Sequence, residues 1–400
     1  MTKSTSPRST ELALRAWFIT VFILFFGRGL MYTAWATRGP DIREYLNVSL
    51  AEMGMLAMFF AGGAIAGVML AGPITSRFGS RVIAVMSFTA MPVFLAIMAI
   101  LAVNGQAGWA MFVAVLFGFP FGAADYVSNV EASNLDRASA KSRMPLLHGG
   151  YSIGVLLGAA STGLLISAGV TTLVHLLGIA VLVGSLAIWR ASTIPSDNGK
   201  HPSHAEPSAV KTKDTTPVNY ARVIKISSIA FIFVLAEGAA AVFIPLALVD
   251  AGRSSASAAF TYTLFSLGMA FMRIVGGWIV DRIGRRNVGL YSSIVAAVGI
   301  SLFVFTPSAP VENVAALLWG AGNSLAIAMT VSAITDNPVT SNRLQSILFT
   351  FVYLANFGVG PLLGGLANLT GIFLAFLLPA GLMIVSAIFS TSLRKEKEPA

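Results

Sequence analysis

The sequence predicts an all-α membrane protein, with twelve transmembrane helices in two pseudo-symmetric six-helix bundles. Three observations point there. The 400 residues are 56% apolar and only 11% charged, where an ordinary soluble domain carries roughly 25% charged residues. Apolar stretches of about 20 residues, enough to cross a bilayer core, follow one another to the end of the chain. A short charged turn occurs twice, as Gly72-Pro73-Ile74-Thr75-Ser76-Arg77-Phe78-Gly79-Ser80-Arg81 and as Gly277-Trp278-Ile279-Val280-Asp281-Arg282-Ile283-Gly284-Arg285-Arg286. The copies start 205 residues apart, about half the chain, so the bundle is a duplication.

Taken in order, the first half has apolar spans at 15–37, 52–72, 81–102, 108–130, 145–168 and 172–191. The second repeats the count at 223–247, 256–279, 287–306, 312–334, 344–367 and 372–393. The first stretch is a retained span and not a cleaved signal, because no soluble domain follows it. An even number of spans puts both termini on one side, and charge says which. Arg38, Arg43 and Arg253 fall outside, Arg28 and Arg273 fall within spans, and the remaining Lys and Arg sort to the cytoplasmic segments, as orientation by basic loops requires. The isoelectric point near 10 follows from that sorting; basic residues spread over many loops make no nucleic-acid footprint. Gly79 and Gly284 suit the sharp reversal of each turn. Residues 192–221, rich in Ser, Pro, Lys and Asp, read as a cytoplasmic linker between an N-terminal bundle (1–191) and a C-terminal bundle (222–400).

Two six-span halves, each with a charged turn between its second and third spans, resemble the major facilitator superfamily. The second turn matches that family's signature at every position; the first departs at Ser76, where the family has Asp, and at Ser80, where it has a basic residue. The resemblance implies alternating access, a solute held between the halves, and gating by the signature residues Arg77, Gly79, Arg81, Gly277, Asp281, Arg282, Gly284, Arg285 and Arg286. It also implies that carboxylates at cytoplasmic span ends pair with the loop arginines. Glu131 and Asp336, themselves 205 residues apart, take those places, with Glu131 facing Arg77 or Arg81 and Asp336 facing Arg282 or Arg286. Arg273, one turn before Gly277, joins this cluster. The stretches from Gly122 to Ala132 and from Pro145 to Gly154 are similar to a poorly characterised bacterial inner-membrane subgroup. Gly360-Pro361 resembles the core of an antiporter motif but lies in span eleven where the family has it in span five, so it supports a kinked, closely packed helix more than efflux.

Charges inside spans are costly unless they face a partner or a wet cavity, which makes them the leading transport candidates. Arg28 lies mid-way along span one, with Tyr32 and Trp35 on the same stripe; it is either a cavity cation for an acidic or polar solute or half of an inter-helix ion pair. Glu237 lies mid-way along span seven, the repeat of span one, and is read as facing Arg28, either as a proton-coupling site or as a fixed salt bridge. Asp125 and Asn129 share one face of span four; Asp125 is a second proton-coupling candidate or the partner of Arg28. His148, Tyr151 and Ser152 form a polar stripe opening span five, with His148 able to titrate near neutrality. His175 is read as isolated and structural. Asn323, Tyr353 and Asn356, with Tyr262 and Ser266, offer hydrogen bonds to a polar solute or bridge helices.

Three functions fit. The leading one is a proton-coupled secondary transporter of a small polar, possibly anionic, solute, working as a monomer in a bacterial cytoplasmic membrane. The second is efflux of amphipathic compounds, to which the 27 Phe and 15 Met would contribute if they line the cavity. The third is a membrane sensor or enzyme, for which the chain offers no phosphate loop, no long soluble domain and no metal-ligand spacing among its four His, two of them (His201, His204) in the linker. The chain has no cysteine, so no thiolate or disulfide chemistry is available. No cofactor or metal is expected, and the partners expected are the solute, protons and lipid.

Overall fold

The computed structural model describes residues 7–139, 143–196, 198–200, 218–336 and 341–395. Among them there is no strand; in lipid, helices satisfy every backbone polar group internally, which an open strand edge cannot. The helices run α1 (Pro7–Thr37), α2 (Gly39–Leu46), α3 (Leu50–Phe78), α4 (Ser80–Val103), α5 (Ala107–Ala138), α6 (Met144–Ser167), α7 (Thr172–Ala191), α8 (Tyr220–Asp250), α9 (Ser255–Phe305), α10 (Ala309–Asn323), α11 (Ala326–Ile334), α12 (Ser341–Thr370), α13 (Ile372–Ala375) and α14 (Leu377–Phe389).

Eleven helical stretches are long and apolar enough to span a membrane, one of them the 51-residue α9. Gly284, at φ 78°, breaks α9 into two arms, so twelve crossing segments are present. Gly79, at φ 89°, separates α3 from α4 in the same way. Both glycines occupy a region closed to most side chains.

The chain divides into two units. The first gathers residues up to Asn47 with those from Phe59 to the start of the linker; the second holds Val48–Met58 and everything from α8 onward. In the first, α1 packs on α6, and α4 packs on α5 and α7. In the second, α8 packs on α12, and α9 packs on α10 and α14. This is the same pairing one repeat later.

Glycines set the closest crossings. A Cβ on Gly63 of α3 would lie 2.1 Å from the Val115 carbonyl oxygen, and one on Gly118 of α5 would lie 2.0 Å from that of Phe60. In the second unit Gly268 meets the Leu317 oxygen at 2.3 Å and Gly320 meets that of Phe265 at 1.9 Å. Small residues at such crossings let backbones touch, which is how helices gain packing energy in lipid. The Gly360 stretch of α12 packs closely, as expected: within the second unit a Cβ on Gly54 would lie 2.2 Å from the Gly360 carbonyl oxygen and one on Gly360 1.9 Å from that of Gly54, while the helix runs on through Pro361.

Three features differ from the sequence expectation. A short helix, α2, fills the connection between α1 and α3, started by Pro40 and ended by Asn47 in the left-handed region at φ 51°. Ser49 and Glu52 then form a capping box that opens α3: the Ser49 N–H and hydroxyl give to Glu52 Oε2 at 2.7 and 2.8 Å, and the Glu52 N–H gives to Ser49 Oγ at 3.2 Å. The expected span 312–334 is interrupted at 324–325 between α10 and α11. The break falls where Gly320, Gly322, Asn323 and Ser324 concentrate weak helix formers.

Candidate functional site

In the first unit, Gly29 lets α1 and α6 touch, since a Cβ there would lie 2.4 Å from the Tyr151 carbonyl oxygen. That approach brings the Tyr151 ring over Arg28, 4.9 Å from the guanidinium carbon, with Phe121 at 5.4 Å and Phe25 at 5.7 Å. Arg28 is only 6% exposed. Its Nη1 pairs with Oδ1 of Asp125 on α5, and its buried Nε has no hydrogen-bond partner. Asn129, one turn along α5, gives its side-chain N–H to the same Oδ1 at 3.1 Å and to the Asp125 carbonyl at 2.9 Å. The Asp125 side chain is 39% exposed.

Around this pair the sequence candidates take different places. Tyr32 contacts the rings of Phe60 and Phe121 at 6.0 and 5.8 Å. Trp35 is buried against Phe60 and Phe117, its indole N–H without a partner. His148 is exposed, with its ring 4.9 Å from that of Phe25; Ser152 is buried.

Glu237 on α8 pairs with Arg273 on α9 at 3.6 Å, the two side chains 36% and 35% exposed. This corrects two expectations. Arg28 and Glu237 each close an ion pair inside their own unit, and Arg273 serves the mid-span carboxylate instead of the cytoplasmic cluster. The reason is that α8 packs on α9, so an opposite charge is at hand within the unit. Asn323 is buried and gives its N–H to the Phe233 carbonyl at 3.1 Å, bridging α10 to α8. Tyr262 is buried and stacks on Phe265 at 5.6 Å, and the Ser266 hydroxyl gives to the Tyr262 carbonyl at 3.0 Å. Tyr353 is half-buried on α12, and Asn356 is exposed, with its N–H given to the Val352 carbonyl at 3.1 Å.

At the two signature turns the halves use different chemistry. In the second unit Arg285 forks onto Asp336, Nη1 to Oδ1 and Nη2 to Oδ2, both at 2.9 Å, and Arg222 at the start of α8 adds a contact at 3.2 Å. Arg222 also gives to the Ser392 and Arg394 carbonyls at 3.0 and 2.9 Å. The expected partners of Asp336 were Arg282 and Arg286; Arg282 instead lies over the Trp278 ring at 4.7 Å, and the buried Arg286 Nε has no hydrogen-bond partner. Arg285 is the first residue after the Gly284 reversal, which turns it back toward α11. Gly277 and Asp281 are exposed.

In the first unit Glu131 is fully buried and takes hydrogen bonds from neutral donors: Trp17 Nε1 at 2.8 Å, Asn198 Nδ2 at 3.0 Å, Asn134 Nδ2 at 3.4 Å and the Ser80 hydroxyl. The expected ion pair with Arg77 or Arg81 is thus replaced. Arg77 is exposed over Phe78, and Arg81 gives its Nε–H to the Ile194 carbonyl at 2.6 Å. Ser80, standing where the family has a basic residue, supplies a hydroxyl, and the start of the linker folds back to complete the shell. The Ser80 N–H bonds the Asn198 carbonyl at 2.8 Å.

The sequence reading missed Trp17, Asn198 and Arg222, and it took His175 as isolated where the side chain has a partner. That side chain is buried, and its Nδ1 accepts from Arg38 Nε at 3.2 Å. Arg38, 3% exposed, also gives to Asp41 at 2.7 Å and to the Val170 carbonyl at 2.7 Å, while Thr172 gives its hydroxyl to Asp41 at 2.8 Å. The available signal was the three-residue spacing of Arg38 and Asp41. On the loop between α8 and α9, Arg253 bonds the buried Glu312 at 3.0 and 3.1 Å. Among the described residues no group of three or more His, Cys, Asp and Glu side chains forms a metal site. His201 and His204 lie outside the described residues.

Two repeated bundles, each with a signature turn tied to a carboxylate 205 residues from its counterpart, call for comparison with known families. The model of the Major Facilitator Superfamily matches residues 17–338 and 226–400. The chain belongs to the major facilitator superfamily. It is 25% identical over 363 residues to an uncharacterised MFS-type transporter of Yersinia pestis, covering 90% of this chain and 91% of that one. It is also 25% identical over 369 residues to the membrane protein MosC of Rhizobium meliloti, covering 91% and 87%. Among solved structures it resembles the nucleoside transporter NupG with a TM-score of 0.69 and 16% identity, covering 95% of this chain and all of that one. A bacterial homologue of the human lysosomal transporter Spinster matches with a TM-score of 0.70 and 15% identity, covering 99% and 100%. At these identities the solved structures establish the fold. The protein is a multi-pass membrane protein of a transporter superfamily.

Proposed function

We propose that this chain is a proton-coupled secondary transporter that moves a small polar solute across a bacterial cytoplasmic membrane by alternating access, as a monomer with both termini in the cytoplasm. The observation that carries the reading is one arginine–carboxylate pair mid-span in each unit, Arg28 with Asp125 and Glu237 with Arg273, in which both carboxylates are more than a third exposed. Glu237 and Arg273 sit 3.6 Å apart with both side chains more than a third exposed, a geometry that leaves the carboxylate open to a competing proton or solute. Asp125 and Glu237 are the proton-exchanging groups, with His148 at the mouth of α6. Asn129, Tyr151, Tyr32, Tyr353 and Asn356 are the solute-facing groups, and the two signature turns are the cytoplasmic gates.

The test is transport by purified protein in proteoliposomes with a pH-sensitive dye inside. Glu237→Gln should abolish solute-driven proton movement while sparing solute counterflow, because exchange needs the site but not the proton. Undiminished proton movement in that variant removes Glu237 from coupling. NupG and the fucose:proton symporter FucP, also a fold relative at a TM-score of 0.63, make nucleosides and sugars sensible members of the first solute panel.

A further inference from the structure

We infer that the solute received by the first unit is neutral and hydroxyl-rich, and that it gives a hydrogen bond to Oδ2 of Asp125. The inference rests on the transporter reading above and narrows its solute class, turning away from the anion that Arg28 suggests in the sequence.

What an incoming molecule meets is the carboxylate and not the cation. Arg28 is 6% exposed, while the Asp125 side chain is 39% exposed. The guanidinium is committed to Asp125 Oδ1 and has the Phe25, Phe121 and Tyr151 rings around it. Its Nε has no hydrogen-bond partner but is buried, and an anion approaching the pair would first face the more exposed, negatively charged Asp125. Both contacts to the Asp125 carboxylate, from Arg28 and from Asn129, fall on Oδ1, which leaves Oδ2 as the open acceptor. Asn129 gives its N–H to Asp125, so its own Oδ1 stands as a second acceptor beside the first.

The pair carries no net charge, so neither sign of ion is drawn to it strongly enough to offset its dehydration. An ammonium at Oδ2 would gain from the carboxylate and lose to the guanidinium bound to the same group. A hydroxyl dehydrates cheaply and gains a charge-assisted hydrogen bond. The half-buried rings of Tyr32, Phe121 and Tyr151 around the pair supply apolar faces for the C–H side of a ring-shaped solute. Two acceptors, no unneutralised charge and flat apolar surfaces together describe a site for sugars, cyclic polyols or the ribose of a nucleoside.

The experiment is thermal stabilisation of the full-length, detergent-purified protein by matched solutes at up to about 10 mM, since whatever binds the folded state raises its apparent stability. The neutral arm is glucose, galactose, fucose, myo-inositol, uridine and adenosine; the charged arm is glucuronate, galacturonate, glucosamine and galactosamine. At least one neutral compound should stabilise, and its charged counterparts should need at least about tenfold higher concentration, the ~1.4 kcal/mol of one lost interaction. Asp125→Asn should raise the half-saturating concentration by a similar factor. Because that variant leaves Arg28 buried without its counter-charge, the double variant Arg28→Gln with Asp125→Asn is the second arm; it removes both charges and should lose the same affinity while remaining folded.

Stabilisation by acids and not by neutral compounds, unchanged neutral binding in both variants, or no neutral binder at all overturns the inference. Counterflow in proteoliposomes separates it from the reading beneath it. A neutral compound that binds without counterflow refutes transport and leaves the solute class standing, whereas counterflow of an acid alone refutes the class and leaves transport standing.

Discussion

Asp336→Asn is the sharpest perturbation of the signature-turn architecture, because one carboxylate neutralises two arginines. The Asp336, Arg285 and Arg222 side chains are 12%, 14% and 17% exposed, close to the buried limit, where removing one partner costs roughly 3–5 kcal/mol. Arg222 keeps the Ser392 and Arg394 carbonyls, and Arg285 keeps the Ser332 hydroxyl at 3.0 Å, which brings the expected loss to about 3 kcal/mol. At about 2–4 °C per kcal/mol for a unit of this size, the melting midpoint should fall by roughly 6–12 °C. Glu131→Gln is the matched control at the equivalent place in the first unit. Its donors are neutral, Gln keeps one acceptor oxygen, and a charge held without a cation is removed, so the loss should be about 1 kcal/mol, or roughly 2–4 °C. The assay is scanning fluorimetry of both variants and wild type in one detergent at one salt concentration. A fall of less than about 2 °C for Asp336→Asn, or a larger fall for Glu131→Gln, refutes the claim that the two turns are held by different chemistry.

Three further outcomes are expected. Arg38→Ala should lower stability by about 3–5 kcal/mol, since Asp41, the Val170 carbonyl and His175 all lose their donor in a buried site; a melting midpoint unchanged from wild type would show the cluster to be dispensable. Gly118→Leu should prevent α3 and α5 from closing, because even its Cβ would lie 2.0 Å from the Phe60 oxygen, and overpacking of this kind costs about 1–3 kcal/mol or more; wild-type yield and melting would contradict the crossing. Arg253 has its pKa raised, first by its hydrogen bond to Glu312 and then by that group's charge. A raised pKa contributes in full below the unfolded value and is lost only as pH climbs through the folded one. The stability difference between wild type and Arg253→Gln should therefore stay constant from about pH 6 to 9, and a difference that drifts across that window would refute the assignment.

The repeat, the spans and the reversals at Gly79 and Gly284 were legible in the sequence, because hydropathy, spacing and glycine each act through neighbouring residues. So was the position of Arg28, Asp125 and Glu237 inside apolar spans, since a charge there stands out whatever its partner. Partner choice was not legible. Spacing on one helix says which side chains share a face but nothing of how that helix is rotated against the next, so it does not show that Glu237 pairs with Arg273 of its own unit. The shell around Glu131 escaped for another reason. Trp17, Ser80 and Asn198 are neutral donors, and nothing in composition distinguishes a Trp that bonds a buried carboxylate from one that faces lipid. The α10–α11 break was visible only as a run of weak helix formers, which many unbroken membrane helices also contain.

The repeat offset shows how that break keeps both halves working. The crossing glycines Gly118 and Gly320 are 202 residues apart, whereas the carboxylates Glu131 and Asp336 are 205 apart, so three extra residues enter the second half between them, in the stretch where α10 gives way to α11. Three residues are nearly one helical turn of 3.6. The insertion therefore advances the helix end by most of a turn while rotating its face only about 60°, and a carboxylate can still look toward the signature turn. What recurs between the halves is thus the position of an acceptor; what differs is the donor set. Arg285 and Arg222 are largely buried cations that hold Asp336 by opposite charge. The Trp17, Ser80 and Asn198 shell of Glu131 contains no opposite charge to screen, and Asn198 ties it to the linker.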